Sequence, residues 1–212
     1  MMCADLFSLG DVIKTFENYK IPYLHMDVMD GSFVPDLMMG TDTIRQIRRA
    51  TAIPLDIHLM INDPGEKLEW FEPRAGDYVS VHAETTKHLQ RVLSKIRSLG
   101  AKPMVAINPA TPLVSIEDVL WDVDAVLIMT VNPGYAGQVL VPQTLDKIKR
   151  LRKILDERDL GHVEIEADGN VTLENARKMR AAGANIFVAG TSLLFREGRL
   201  EDHIKLFNSE IH

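Results

Sequence analysis

Hydrophobic residues recur along the chain in short runs that predict β-strands. Seven such runs are rich in Val, Ile, Leu and Met. The predicted strands cover residues 22–28, 54–60, 77–83, 102–108, 124–131, 162–168 and 185–190. Before the first run, "MMCAD" leads directly into the helix-like "LFSLGDVIKTFENYK", so a strand at the N-terminus is a stub at best.

The segments between the predicted strands have the apolar spacing of amphipathic helices. Two of them place their apolar residues on one helical face: these are Leu89, Val92, Leu93, Ile96 and Leu99, and then Leu145, Ile148, Leu151 and Leu155. Pro142 suits the first turn of the second helix, and Gly100 and Gly183 stand where helices should end. Because no linker or composition shift divides the chain, we predict one domain over residues 1–212.

Strands that alternate with helices predict a parallel sheet with right-handed crossovers. On the strand count alone, an open doubly wound sheet and a closed barrel both fit. Polar residues at the carboxyl ends of the strands favour the barrel, whose active face is built there: these are His25 and Asp27, Asp56 and His58, His82 and Glu84, Asn108, Asp168, and Gly190 with Thr191. An open sheet would concentrate them near one switch point.

Composition and charge exclude several classes of function. The 212 residues carry a net charge of −6 and a pI of about 5.6, which argues against nucleic acid as a partner. Cys3 is the only cysteine, so no intramolecular disulfide can form. No apolar run approaches the ~20 residues of a membrane helix, so we expect no membrane partner and a cytoplasmic protein.

Six motifs in order along the chain resemble those of the ribulose-phosphate 3-epimerase family: "HMDVMDGSFVPD", "PLDIHLM", "NPATP", "IMTVNPGYAGQ", "EADGN" and "AGTSLLF". The resemblance implies a (β/α)₈ TIM barrel of the ribulose-phosphate-binding type. It also implies interconversion of phosphoketoses that differ at carbon 3, most simply D-ribulose 5-phosphate and D-xylulose 5-phosphate in the pentose phosphate pathway. The family has a full strand before the equivalent of "MCAD", so we expect a truncated first strand in this chain.

The resemblance implies one divalent metal ion held by His25, Asp27, His58 and Asp168. Asp27 and Asp168 would also be the catalytic acid–base pair. Inverting a carbon needs an acid and a base on opposite faces of a planar enediolate, whose charge a metal stabilises. Two imidazoles and two carboxylates suit Zn, Fe(II), Mn or Co, and ligand type does not choose among them.

The same resemblance implies the surroundings of the reacting carbon and of the phosphate. Met29, Met60 and Met129 would form an apolar wall. His58 would also contact the substrate, and backbone donors would cradle the phosphate at Gly137, Gln138, Gly169, Asn170, Gly190 and Thr191. The family usually has Gly-Gly where this chain has Gly169-Asn170. Asn tolerates left-handed geometry, so we expect the cradle to survive.

Other substrates and functions remain open. "PGYAGQ", "MCAD" and "GTSLLF" are closer to the allulose-6-phosphate epimerase branch, which makes D-allulose 6-phosphate the second candidate substrate. A non-catalytic phosphosugar-binding protein is the alternative of another class. Phosphosugar decarboxylases and lyases usually carry an Asp-x-Lys arrangement, and "HMDVMDG" and "PLDIHLM" offer no such Lys. A homo-oligomer is expected in a shortened barrel.

Two further expectations concern residues outside the main motifs. Glu164 and Glu166 share one strand face with Asp168, so we expect them to pair with inward cations, with Lys102 as one candidate. His82 is expected behind the site or in the pocket wall. The remaining histidines are expected to face solvent: His88, His162, His203 and His212.

Overall fold

The computed structural model describes residues 1–211, and within them eight strands form one sheet. The strands are β1 (Leu24–Asp30), β2 (Leu37–Met38), β3 (Leu55–Met60), β4 (Tyr78–His82), β5 (Lys102–Ile107), β6 (Ala125–Met129), β7 (Glu164–Asp168) and β8 (Ile186–Val188). Their order in the sheet is β2-β1-β3-β4-β5-β6-β7-β8. Only β2 runs antiparallel to its neighbour in this sheet, and it pairs with the last two residues of β1.

The long connections between the parallel strands contain helices, which cover one face of the curled sheet. The α-helices are α1 (Leu9–Asn18), α2 (Thr41–Ala50), α3 (Leu89–Ser98), α4 (Gln143–Glu157), α5 (Leu173–Ala182) and α6 (Leu200–Ile211). Along β5, Val105 and Ile107 belong to the main core, whereas Met104 and Ala106 belong to a second cluster on the other face. This alternation is what a sheet with two covered faces requires.

All seven predicted strands are confirmed, with ends shifted by up to two residues. The predicted helical faces are also buried: Val92, Leu93 and Ile96 in α3, and Ile148, Leu151 and Leu155 in α4. Gly183 ends α5 with φ of 113°, where a residue other than glycine would be strained. The sequence did not predict β2, because two residues carry no periodic signal.

The barrel is open at a seam between β8 and β1, as expected for a truncated first strand. No ladder joins these two strands within residues 1–211. Residues 1–4 form a turn there, and the Met1 ammonium donates to the His25 carbonyl oxygen at 2.5 Å. Cys3 Sγ reaches the loop after β8, 3.3 Å from where a Cβ on Gly190 would lie. The N-terminal turn thus lies between the amino-terminal part of β1 and the loop that follows β8.

Lys147 holds the loop that follows β5. This lysine of α4 is buried, and its ammonium donates to the carbonyl oxygens of Asn108, Pro109 and Thr111 at 2.9, 2.8 and 2.6 Å. This charged donor satisfies the carbonyls of Pro109 and Thr111 and adds a second donor to that of Asn108, which also accepts from the Thr111 backbone N–H. The loop is therefore fixed relative to α4.

The surface differs from expectation at one histidine. His88 and His162 are exposed as predicted. The prediction for His203 is wrong: it is buried, and its Nδ1 lies 3.0 Å from the Leu194 carbonyl oxygen. His212 lies outside the described residues. Within residues 1–211, none of the helices is both long and apolar enough to cross a membrane.

Replacing Lys147 with Met should lower the free energy of unfolding by roughly 2–4 kcal/mol, because three loop carbonyls lose a charged donor. Urea unfolding followed by circular dichroism measures this change. Lys149→Met, at an exposed position of the same helix, is the matched control and should change stability by less than about 0.5 kcal/mol. Equal effects of the two substitutions would contradict the role of Lys147.

Candidate active site

Three strands bring four metal-ligating side chains to the carboxyl end of the sheet. His25 and Asp27 lie two residues apart on β1, so their side chains leave the same face. In the parallel register, Asp27 stands beside His58 of β3. Asp168 is the last residue of β7 and approaches from across the barrel. The intervening Met26 belongs to the main core on the other face of the sheet.

The four side chains lie close enough to share one ion. His25 Nε2 is 3.3 Å from Asp27 Oδ1 and 3.8 Å from Asp168 Oδ2. His58 Nδ1 is 3.7 and 3.6 Å from the same two oxygens. Ligands about 2.1 Å from a tetrahedral metal are separated by about 3.4 Å. The predicted set of His25, Asp27, His58 and Asp168 is therefore brought together with spacing that suits a divalent cation.

Orphaned nitrogen atoms provide a test of whether a metal fits. His25 Nε2 and His58 Nδ1 are buried and have no hydrogen-bond partner among the described residues. Buried polar atoms are almost always paired, so these two call for a ligand. Both nitrogens face Asp27 and Asp168, and imidazole nitrogen with carboxylate oxygen suits a divalent metal such as zinc. The residues present therefore fit the metal ion that the family resemblance implies.

A second layer of acidic groups lies behind His25. Asp56 Oδ2 is 2.5 Å from His25 Nδ1, and Glu166 Oε1 is 3.4 Å from the same nitrogen. Glu166 thus lies near an inward histidine, but its oxygens have no hydrogen-bond partner among the described residues because Asp56 takes the Nδ1–H of His25. Lys102 is not its partner, because the ammonium of this lysine donates to Tyr23 Oη at 3.1 Å. Asp56 holds Nδ1–H of His25, which leaves Nε2 to face the site.

The two carboxylates that face each other have opposite pKa directions. Burial alone would raise the pKa of Asp27, but the positive charge of His25 and the closeness of the His25 and His58 rings outweigh it and hold that pKa well below its usual value. Burial raises the pKa of Asp168, and the charge of Asp27 adds to this against the opposing effect of His25. One carboxylate is therefore held ionised while the other tends to keep a proton.

The His25 imidazole also favours its protonated, positively charged form. Burial opposes protonation, but Asp56 and Asp27 outweigh it and raise the pKa of His25 well above its usual value. In the metal-free protein this imidazolium is the cation that lies among the carboxylates. A divalent ion would displace the proton on Nε2, since a metal ligand must offer a lone pair.

A cavity of about 330 Å³ opens above these residues, within the lower range of small-ligand pockets. Every predicted wall and phosphate-cradle residue except His58 lines it: Met29, Met60, Met129, Gly137, Gln138, Gly169, Asn170, Gly190 and Thr191. His58 is fully buried beneath its surface, so it can reach the site only through Nδ1.

The loop after β7 has the geometry expected of a cradle that contains Asn. Asn170 adopts the left-handed conformation with φ of 48°, as predicted. Gly169 has φ of 118°, and a Cβ there would lie 2.5 Å from Val131 Cγ2. The Asn170 side chain accepts from the Leu140 backbone N–H at 3.3 Å, which ties this loop to the one after β6.

Three residues near the site were not assigned a role from sequence. Cys3 lines the cavity, and the Thr191 backbone N–H is directed at its sulfur. Asp56 lies within the motif "PLDIHLM" and Glu84 follows the end of β4, but neither was given a role from its position. Of the two places expected for His82, the structure favours the one behind the site, because its Nε2 lies 2.8 Å from that of His58 and the two ring centroids are 5.0 Å apart.

A family model described as the ribulose-phosphate 3 epimerase family matches residues 1–194. The chain belongs to this family. Ribulose-phosphate 3-epimerase of Bacillus subtilis (strain 168) is 41% identical over 199 residues, which cover 94% of this chain and 92% of that protein. The chloroplastic ribulose-5-phosphate-3-epimerase of Arabidopsis thaliana is 44% identical over 195 residues, covering 91% and 69%.

Solved structures agree on the fold of this epimerase. A crystal structure of 3-hexulose-6-phosphate synthase has a TM-score of 0.68 at 12% identity, covering 97% of this chain and 94% of that one. The 3-keto-L-gulonate-6-phosphate decarboxylase of Vibrio cholerae has a TM-score of 0.68 at 13% identity, covering 96% and 92%. The fold is therefore that of TIM-barrel enzymes. As an epimerase the chain is an isomerase, which disfavours the non-catalytic alternative.

The burial of His82 should make the stability of the metal-free epimerase depend on pH. Burial lowers the pKa of His82 to about 4, so below pH 6.5 the unfolded chain binds a proton that the folded chain does not. Stability should therefore fall by about 2–3 kcal/mol from this group between pH 6.5 and pH 4.5. Urea unfolding in chelator should show a shallower fall for His82→Gln than for the unmodified chain.

The exposed His162 provides the control for that comparison. His162→Gln should keep the full pH dependence. If His82→Gln and the unmodified chain lose stability in parallel between the two pH values, His82 is not the group responsible.

Proposed function

We propose that this epimerase interconverts D-ribulose 5-phosphate and D-xylulose 5-phosphate by proton transfer between two carboxylates. The observation that carries the proposal is the pairing of Asp27 and Asp168. They come from β1 and β7, approach the same two histidine nitrogens, and have opposite pKa directions. A reaction that inverts one carbon needs this combination of a base and an acid.

His25, Asp27, His58 and Asp168 would hold one divalent metal ion. When bound, this ion would act as a Lewis acid on the substrate carbonyl and the neighbouring oxygen. His58 is proposed as a ligand alone, because it has no exposed surface from which to contact a sugar. The two imidazoles supply neutral ligands, so any negative charge of the set comes from the carboxylates. Zn, Fe(II), Mn and Co all suit these ligands.

Asp27, held ionised, accepts the proton from carbon 3 on one face of the sugar. Asp168, which tends to keep its proton, donates to the same carbon from the other face. The roles exchange in the reverse direction. Because each carboxylate begins in the opposite protonation state, one turnover needs no proton from bulk solvent at the moment of transfer.

The apolar side of the cavity keeps water away from the reacting carbon. Met29 and Met60 are buried and pack together with Val34, while Met129 belongs to the cluster on the concave face of the sheet. Excluding water strengthens electrostatic interactions in the site and protects the reactive intermediate. Thioethers offer no proton donor that would compete with Asp168.

Backbone donors would bind the phosphate on the opposite side of the cavity. Gly169 with Asn170 and Gly190 with Thr191 follow β7 and β8, which is where barrels of this kind bind phosphate. Gln138 supports the neighbouring loop, since its amide donates to the carbonyl of Tyr135 at 3.0 Å. The substrate is therefore proposed to lie with carbon 3 over the carboxylates and its phosphate between these loops. A homo-oligomer stays a prediction.

Asp27→Asn and Asp168→Asn should each lower turnover of ribulose 5-phosphate by about 10²–10⁴-fold, because each removes a proton-transfer group. A coupled assay for xylulose 5-phosphate measures the rate, and metal content of the purified variants is measured alongside. Asp118→Asn, at an exposed position, is the control and should keep the full rate. Near-native turnover in either site variant would contradict the two-carboxylate mechanism.

The same preparations decide between substrates. The unmodified chain is assayed with ribulose 5-phosphate and with allulose 6-phosphate at matched concentrations. The proposal requires a higher kcat/KM for the five-carbon sugar. A higher value for allulose 6-phosphate would move the assignment to the six-carbon substrate while leaving the mechanism intact.

A further inference from the structure

A chain of hydrogen-bonded side chains runs away from the cavity behind His58, through His82 to Glu84. His58 Nε2 lies 2.8 Å from His82 Nε2, and His82 Nδ1 lies 3.2 Å from Glu84 Oε2. Neither histidine has exposed surface, and the two rings lie nearly parallel, with an interplanar angle of 21°. His58 is the only one of the three that the proposed reaction uses. The burial of His82 beside it needs a separate reason, because a buried imidazole must have hydrogen-bond partners.

The hydrogen-bond chain ends at Glu84, a carboxylate whose orientation is fixed by the loop after β5. Glu84 Oε1 accepts from the Asn108 backbone N–H at 2.9 Å and from the Thr111 hydroxyl. Lys147 holds the same loop through three carbonyl oxygens. With Oε1 occupied by two donors, Oε2 is the oxygen left for His82. A carboxylate in this setting only accepts hydrogen bonds, so His82 Nδ1 must carry the proton.

The direction of the remaining hydrogen bond follows from this assignment. A neutral imidazole has one N–H, so His82 with its proton on Nδ1 offers a lone pair at Nε2. The facing nitrogen, His58 Nε2, must then be the donor. His58 therefore keeps its lone pair at Nδ1, the atom that lies 3.6 Å from Asp168 Oδ2 and has no hydrogen-bond partner among residues 1–211.

We propose that Glu84 and His82 are positioning residues that fix His58 in the Nε2–H tautomer, so that its Nδ1 lone pair is held ready for the metal ion. The ligand set rests on the proposed function, but the tautomer rests only on the hydrogen-bond geometry. His25 is oriented by a shorter route, because Asp56 contacts its Nδ1 directly. Each histidine is thus oriented from behind by one carboxylate, and the two offer different nitrogens to the site.

Glu84→Gln tests the proposal because it should exchange the donor and acceptor roles along the hydrogen-bond chain without changing the positions of its side chains. The two donors of the loop, Asn108 N–H and the Thr111 hydroxyl, require an oxygen, so the amide oxygen should stay with them. The amide nitrogen then faces His82 Nδ1 and donates to it. His82 must carry its proton on Nε2, and the proton of His58 is driven to Nδ1, where it blocks the metal.

The first readout is the position of each imidazole proton in the metal-free full chain at neutral pH. Two-bond ¹H–¹⁵N correlation spectra distinguish protonated from unprotonated ring nitrogens. The unmodified chain should show His58 protonated at Nε2 and His82 at Nδ1. In Glu84→Gln both assignments should be reversed. A merely structural role for Glu84 would not move the protons in this coordinated way.

The second readout is zinc affinity, measured by competition with a chelating dye. Glu84→Gln should weaken zinc binding by about 10–100-fold, as loss of a group that orients a ligand typically does. His58→Ala provides the reference for loss of the ligand itself. Glu117→Gln removes the same charge from a residue paired with Arg158, and it should bind zinc within about threefold of the unmodified chain.

Two results would overturn the proposal: a proton on Nδ1 of His58 in the unmodified chain, or zinc affinity in Glu84→Gln equal to that in Glu117→Gln. These results are distinct from failure of the proposed function. An unmodified chain that binds no zinc and turns over neither sugar would contradict that function, whereas the imidazole tautomers would still decide the role of Glu84 and His82.

Discussion

Two carboxylates and two imidazole nitrogens lie within 4.8 Å of one another in the candidate active site. The rest of the site depends on how the fold offsets the negative charge concentrated there. Burying like charges together is costly unless a cation or a proton offsets them. In the metal-free chain the proton on His25 partly does so, as the raised pKa of this residue indicates. A divalent ion does so more completely, which is why the same geometry favours metal binding and acid–base chemistry.

The supporting layers explain why the ligands face inward. Asp56 orients His25, and Glu84 orients His58 through His82. Glu84 is held by the loop after β5, which Lys147 secures from α4. Burial would raise the pKa of Glu84, but hydrogen bonds from His82, Thr111 and Asn108 outweigh it and lower the pKa to about 2, so this acceptor stays ionised. The metal site is therefore coupled to packing well outside the cavity.

The features that depend on local sequence pattern, namely the strands and the active face, were predicted from the sequence. Strand periodicity gave all seven parallel strands, and the position of His25, Asp27 and Asp168 at strand ends indicated one active face. The sequence did not reveal the neighbours of Glu166 or the role of Lys147, because these contacts join residues separated by long stretches of chain. Lys147 and Asn108 are 39 residues apart, and their contact depends on a loop conformation that no short motif encodes. The same limit applies to Glu84, whose function depends on which of its oxygens the loop occupies.

The proposed mechanism is proton transfer at carbon 3 by carboxylates that the chain holds in opposite protonation states. Proton NMR of ribulose 5-phosphate incubated in D₂O with the zinc-loaded chain measures this transfer directly. The mechanism predicts loss of the carbon-3 proton signal together with appearance of xylulose 5-phosphate, while the signals of the other carbon-bound protons persist. Retention of the carbon-3 proton over many turnover times, in a chain shown to contain the metal, would contradict it.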